Sequence, residues 1–405
     1  MLSYEQALEK LLAAAQPVAE IRSQPLTAAA GRVLAVAQRS TVAVPPLDNS
    51  AMDGYAVRTA DITTVGICLP VSQRIPAGTV GTALQPGTAA RIFTGAPVPA
   101  GADAVVMQEL CAHGEVGNTS GVVINQMPRA EENIRRAGED IAVGAEILQA
   151  GTKLRPQDIA LAAAAGLPEL PVYRRVRVGV FFTGDELVQP GEPLPPGAIY
   201  NSNRYALRAL LEGIGCEVRD LGTVPDTLAA TRDALRRAAA DNDLIITSGG
   251  VSVGEEDHVR PAVEAEGQID MWKIAIKPGK PLAFGEVRRD GGKAWFIGLP
   301  GNPVSAVVTF MVMVRPFVLR LQGVSDVALR SYVMRADSDW PRPDVRAEFL
   351  RGRINGEGGV ELYPNQGSGV VTSLCWGDGL VMNPPAHAFK RGDSVRFVPF
   401  AELLS

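Results

Sequence analysis

The chain has 405 residues, is 46% hydrophobic and 20% charged, and carries a formal net charge of −5. That length predicts about two to four domains, each able to bury a core of its own. The mildly acidic balance offers no global basic field, so no nucleic-acid partner is expected.

The stretch MLSYEQALEKLLAAA has apolar residues at helical spacing and a capping box from Ser3 to Gln6, which predicts a first helix. It lacks the basic and apolar regions of a secretory signal, so the expected location is the cytoplasm. From 43 to 142 short β-branched runs are cut by Gly and Pro, the texture of a small β lobe. RPQDIALAAAAG, 155–166, returns to helix and stops at a glycine suited to a C-cap. After 175 strands and helices alternate. Strands are predicted at 176–182, 216–221, 243–247 and 294–298, and helices at about 203–213, 227–241 and 303–321. This alternation predicts a doubly wound parallel α/β sheet. The run at 303–314 is too short to cross a bilayer and predicts a buried helix at a core or subunit interface; no membrane partner is expected. From about 326 short strands return and predict a terminal β domain.

Ligands of open parallel sheets bind beyond the carboxyl ends of the strands. The segments there are TGDELV with Asp185 and Glu186, the stretch holding Asp226, SGGVSVGEED with Ser248, Gly249, Gly250, Ser252, Gly254 and Asp257, and LPGNP with Pro300, Gly301, Asn302 and Pro303. Glycine lets backbone N–H groups approach an anion closely, and the following helices favour negative charge. The two glycine-rich segments together therefore predict a phosphate site, although each alone also suits a plain turn. Asp185, Glu186, Asp226 and Asp257 are candidate oxygen ligands for Mg²⁺, with helix capping as the alternative. WKIAIKPGKP adds Lys273, Lys277 and Lys280. If KIAI is a strand, alternation puts Lys273 and Lys277 on one side, as an oxyanion clamp or a solvated edge.

GVSVG matches a serine-hydrolase elbow, but Ser252 stands five residues beyond Thr247, and the only later histidines are His258, in the same segment, and His387, in the terminal β module, which argues against a Ser-acid-His triad. No P-loop and no G-x-G-x-x-G occurs. Cys68, Cys111, Cys216 and Cys375 show no C-x-x-C spacing, which argues for reduced core thiols over a metal or redox pair.

PPLDNSAMDGYA, FTGAPVPAGADAVVMQE, NIRRAGEDI, TGDEL, TSGGVSVGEEDH, KIAIKPGKP and GLPGNPVSA together resemble the molybdopterin molybdenumtransferases, which are similar to the C-terminal domain of gephyrin. The resemblance implies a helical linker domain (1–42 and 143–174), a β lobe (43–142), a doubly wound α/β molybdopterin-binding domain (175–325) and a C-terminal β-barrel-like domain (326–405). It further implies an L-shaped homodimer with a composite active site between subunits. The implied substrates are adenylylated molybdopterin and molybdate, with Mg²⁺ as cofactor, release of molybdenum cofactor and AMP, and handover partners in that biosynthesis. The family's acids fall on Asp53, Asp140, Glu186, Asp226 and Asp257, with Glu186, Asp226 and Asp257 as metal ligands. Its lysines fall on Lys273 and Lys277, its threonine on Thr94 and its prolines on Pro300 and Pro303. Asn201 and His258 depart from the family's frequent Asp and Tyr. A scaffold role and a preference for tungstate are the rival expectations.

Overall fold

The computed structural model describes residues 1–250, 258–279 and 281–404, and three six-stranded sheets organise them. The central sheet is ordered Glu217–Val224, Arg177–Thr183, Leu244–Ser248, Gly292–Leu299, Pro281–Arg289, Gly267–Lys273. The first four strands are parallel and are the four that the apolar runs predict. The last two add an antiparallel edge.

Both faces of this sheet are covered, which is why its strands read as continuous apolar runs. Val178, Val180 and Phe182 face one core with Leu207 and Leu211 of the helix Ser202–Gly213. Phe181, one step out of phase, faces the other core with Leu235 and Ala238 of the helix Leu228–Asp241. Each helix begins at a side-chain cap: Asn201 accepts from the Arg204 N–H at 3.1 Å, and Thr227 from Ala230 at 3.3 Å. Asn201 thus works as a buried helix cap.

The apolar run from Pro303 continues past Arg315 and Pro316 to Leu321. Pro316 supplies no N–H, and the chain takes a wider π turn, Phe310–Val314, directly before it. This helix is long and apolar enough to span a membrane by composition, yet its most apolar window is 94% buried inside the fold. It is the spine of the largest core, where Tyr4, Ala7 and Leu11 of the first helix also pack. That first helix, Tyr4–Ala14, carries the predicted capping box between Ser3 and Gln6.

The segment 54–124 forms the second sheet, ordered Ala104–Met107, Gly54–Val57, Ala89–Ile92, Ile67–Ile75, Thr119–Ile124, Cys111–Val116. The two-stranded pairing of Ile21–Pro25 with Glu169–Tyr173 ties the chain before this lobe to the chain after it.

The third sheet corrects one expectation. KIAI is not a single strand: Gly267–Lys273 ends the central sheet, whereas Ile276–Lys277 pairs in parallel with Ala347 and Glu348 of the C-terminal strand Ala347–Ile354. Lys273 and Lys277 therefore belong to different sheets, and period-two alternation does not relate them.

Candidate active site

In the central sheet the chain leaves Arg177–Thr183 toward one neighbour and returns as Leu244–Ser248 on the other side. Such a switch opens a crevice at the carboxyl ends of the strands. Gly184–Glu186, Gly249–Gly250 and Pro300–Asn302 follow three strands ending there. A buried network sets their spacing: Asn203 Nδ2 donates to Ser248 Oγ and to the Gly301 carbonyl, each at 2.8 Å, while Ser248 Oγ donates to the Pro300 carbonyl at 2.9 Å.

Gly249 and Gly250 take φ values of +94° and +62°, the left-handed region. A Cβ on Gly250 would stand 2.7 Å from Val259 Cγ2 and 2.9 Å from Thr183 Oγ1. One on Gly249 would stand 2.9 Å from the Thr183 carbonyl oxygen. Glycine is required at both for conformation and for space.

A cleft of about 640 Å³ runs from these loops to the C-terminal domain. Glu186, Gly249, Gly250 and Pro300–Asn302 line one end; Lys277, Arg346 and Gln366–Ser368 line the other. The ends are pinned together where the Val304 N–H, in the first turn of the core helix, donates to the Ser368 carbonyl at 2.9 Å.

The cationic end is balanced by two acids, the buried Glu348 and the partly exposed Asp344. Lys277 Nζ lies 3.3 Å from Glu348 Oε1 and 3.4 Å from Asp344 Oδ2. Glu348 has no exposure, and its other oxygen accepts from Trp340 Nε1 at 2.7 Å and Asn383 Nδ2 at 3.1 Å. Arg346 grips Asp344 through two bonds of 2.9 Å. This grip first, with further help from Lys277, holds the Asp344 carboxyl well below the usual carboxylate range.

The cleft thus gathers Glu186, Gly249, Gly250, Lys277, Pro300, Gly301 and Asn302, with Ser248 in the network beneath. Pro303 lies just behind and opens the core helix. Lys273 is exposed on the edge strand and does not line the cleft, nor does Asp226, which precedes the Thr227 cap. Ser252, Gly254, Asp257 and Lys280 lie outside the described residues. Arg346, Gln366–Ser368 and Asn203 are site residues that the sequence reading did not single out.

In the β lobe Asp53 Oδ1 accepts from both the N–H and the hydroxyl of Thr94, each at 2.8 Å. The Thr94 N–H first, then its hydroxyl, lowers the Asp53 carboxyl below its ordinary value. Asp48 accepts from the Ala137 N–H at 2.8 Å and pairs with Arg136. Asp140 is exposed nearby in sequence. Among the described residues, none from this lobe lines the cleft of the same chain.

No group of three or more His, Cys, Asp or Glu able to hold a metal occurs among the described residues. Glu186 is the described carboxylate lining the glycine-rich end. That fits a hard cation such as Mg²⁺, which takes one or two carboxylates from protein and further oxygens from phosphate.

A switch-point crevice with a glycine-rich end and a cationic end defines an α/β protein whose cleft suits a phosphate-bearing ligand beside an oxyanion. Three family models match in order: "MoeA N-terminal region (domain I and II)" over 2–166, "Probable molybdopterin binding domain" over 179–320 and "MoeA C-terminal region (domain IV)" over 333–400. A molybdopterin molybdenumtransferase of Haemophilus influenzae is 41% identical over 414 residues, covering 100% of both chains. One from Nostoc is 42% identical over 375 residues, covering 90% of this chain and 85% of its own. The crystal structure of a molybdopterin biosynthesis MoeA protein from Pyrococcus horikoshii aligns with a TM-score of 0.84 at 28% identity, covering 98% of this chain and 100% of that one. The chain belongs to the MoeA family of molybdopterin molybdenumtransferases, enzymes of molybdenum cofactor biosynthesis.

Proposed function

We propose that this chain binds adenylylated molybdopterin and molybdate, inserts molybdenum into the pterin, and releases molybdenum cofactor and AMP in a Mg²⁺-dependent reaction. The observation that carries the reading is the two-ended cleft, glycine-rich at Gly249–Gly250 and Pro300–Asn302 and cationic at Lys277 and Arg346. The Gly249 N–H is taken by the Leu299 carbonyl at 3.2 Å, so the backbone N–H groups of Gly250, Gly301 and Asn302 are the ones that hold phosphate oxygens. Lys277 and Arg346, with Ser368 beside them, hold molybdate, a dianion that needs fixed positive charge in a partly dehydrated site. Glu186 would hold Mg²⁺, whose chemistry there is to withdraw charge from the phosphoanhydride oxygens. The sulfurs that take molybdenum come from the pterin. All four cysteines are free thiols, but only Cys216 is a core thiol, where burial pushes it up to about 12; Cys68 and Cys111 are partly exposed and Cys375 is exposed.

Partner and setting complete the proposal: a homodimer in the cytoplasm, in which Asp53, Thr94 and Asp140 of one subunit face the cleft of the other, with a downstream protein receiving the cofactor. The separation of these residues from the cleft of their own chain supports that arrangement. The decisive experiment mixes purified protein with adenylylated molybdopterin and Mg²⁺, adds molybdate or tungstate, and follows AMP release and metal incorporation. AMP should appear only with the oxyanion, in step with metal uptake. Metal uptake without AMP release would overturn the reaction as written.

A further inference from the structure

The sheet of the β lobe carries a cluster of cations and rings outside the set of residues that the resemblance assigns. Arg91, on the strand Ala89–Ile92, stands opposite Tyr55 of Gly54–Val57 on one side and Arg74 of Ile67–Ile75 on the other. Period-two alternation brings Phe93, two residues on, to the same face. The Arg74 guanidinium lies over the Phe93 ring, 4.5 Å from its centroid. The Arg91 guanidinium lies 4.6 Å from the centroid of that ring and 5.2 Å from that of Tyr55.

Like charges abreast on neighbouring strands cost stability. Neither cation is in an ion pair among the described residues. Arg91 donates to the Gly54 carbonyl at 2.8 Å and to Gln108 Oε1 at 2.6 Å, both neutral. Arg74 is exposed and has Phe93 as its contact. A guanidinium stacked by one face on a ring keeps its N–H edges and its other face for a ligand. That chemistry suits a planar aromatic ring joined to a phosphate, with the ring stacked and the phosphate at the N–H edge. Phe93 directly precedes Thr94, and Tyr55 stands two residues after Asp53, whose carboxylate Thr94 holds. The cluster is therefore beside the residues that face the partner's cleft in the proposed dimer. Resting on that reading, we propose that Arg74 and Phe93 form a stacking platform for a planar, nitrogen-rich bicyclic ring of the substrate, with Arg91 and Tyr55 holding the platform in place. Adenylylated pterin carries such a ring in its adenine and another in its pterin.

The test is titration calorimetry on the full chain with AMP and with neopterin, repeated with Phe93→Leu and Arg74→Gln. Leucine keeps apolar volume and removes the ring face, and circular dichroism checks the fold of each variant. At least one probe should bind about fivefold or more weakly to both variants, the loss expected for one stacked ring. Phe93→Trp, which restores a ring face, should restore that affinity, as a merely structural role would not require. Loss of AMP binding assigns the platform to adenine and loss of neopterin binding assigns it to the pterin; either supports it. No binding of either probe to the unaltered chain, affinities unchanged in both variants, or a loss that Phe93→Trp does not restore, overturns it. AMP release on addition of molybdate, followed on the unaltered chain, tests the reaction separately. Turnover with probe binding indifferent to Phe93 and Arg74 removes the platform and leaves the reaction, whereas platform-dependent binding without turnover does the reverse.

Discussion

Glu348→Gln should tighten molybdate binding, because a buried negative charge now stands behind the lysine that would receive the anion. Glu348 Oε1 is 3.3 Å from Lys277 Nζ. An oxyanion in hydrogen-bond contact with Lys277 would lie about 6 Å from that carboxylate. A dianion and a single charge at about 6 Å repel by about 1.4 kcal/mol even at the dielectric of water, roughly tenfold in affinity, and by more in a partly dehydrated cleft. Glutamine is nearly isosteric, and its oxygen can still accept from Trp340 and Asn383, which turns its amide N–H groups toward Lys277 and ends the pairing with the lysine. The measurement is calorimetric titration with molybdate in low salt, where screening is weak, repeated at high salt, where the gain should shrink. Weaker or unchanged binding in low salt would refute the reasoning and make Glu348 a holder of Lys277's position. A cycle with Lys277→Gln separates the cases, since the gain from Glu348→Gln should fall when the lysine is absent.

Gly250→Ala should weaken binding of the adenylylated pterin by about tenfold or more, because a methyl at φ +62° must displace Val259 or Thr183 from the loop. Molybdate affinity measured alone should stay within about twofold, and an unchanged pterin affinity would remove the phosphate role of this loop. Thr94→Val should raise the Asp53 carboxyl toward its ordinary value, since one of two donors to Oδ1 is lost. A depressed carboxyl contributes stability above its unfolded value that is lost as pH falls through the folded one, so the variant should lose this contribution at higher pH. An NMR titration of Asp53 that does not move would show that the hydroxyl bond is not formed in solution.

The central sheet was legible because strands covered on both faces are apolar at consecutive positions, and Val178, Val180, Phe181 and Phe182 answer to two cores at once. The glycine-rich end was legible too, since a left-handed φ at Gly249 and Gly250 needs glycine. The cationic end was not. Local alternation relates Lys273 to Lys277 only while one strand continues, and here the chain changes sheets between them to pair with Ala347–Glu348. Arg346 looks like a solvated charge at the start of a strand, and its place in the cleft depends on that long-range pairing. NQGSG, 365–369, does carry a local signal, a Gly/Ser loop beside strands like the two singled out earlier. Asn203 has none, because a polar residue in the first turn of a helix usually faces water.

One C-terminal strand, Ala347–Ile354, organises the whole cationic end. Its first residues pair with Ile276–Lys277, and Glu348 receives the lysine. Further along, Arg351 is fully buried, and burial pushes its guanidinium down to about 10. It donates to Ser373 Oγ at 3.0 Å, to the Gly367 carbonyl at 3.2 Å and to Phe349 at 3.4 Å, while Gln366 bonds the N–H and carbonyl of Arg351 itself. Burying a cation is costly and adds little net stability, so its lasting effect is to fix the loop whose Gln366, Gly367 and Ser368 face the cleft. Lys277, Arg346 and that loop are therefore one body with the C-terminal sheet. Any shift of the sheet against the central domain would keep the cation cluster intact and change its distance from Gly249 and Gly250. The bond from Val304 to the Ser368 carbonyl opposes such a shift, and it does so at the first turn of the helix that forms the core of the molecule.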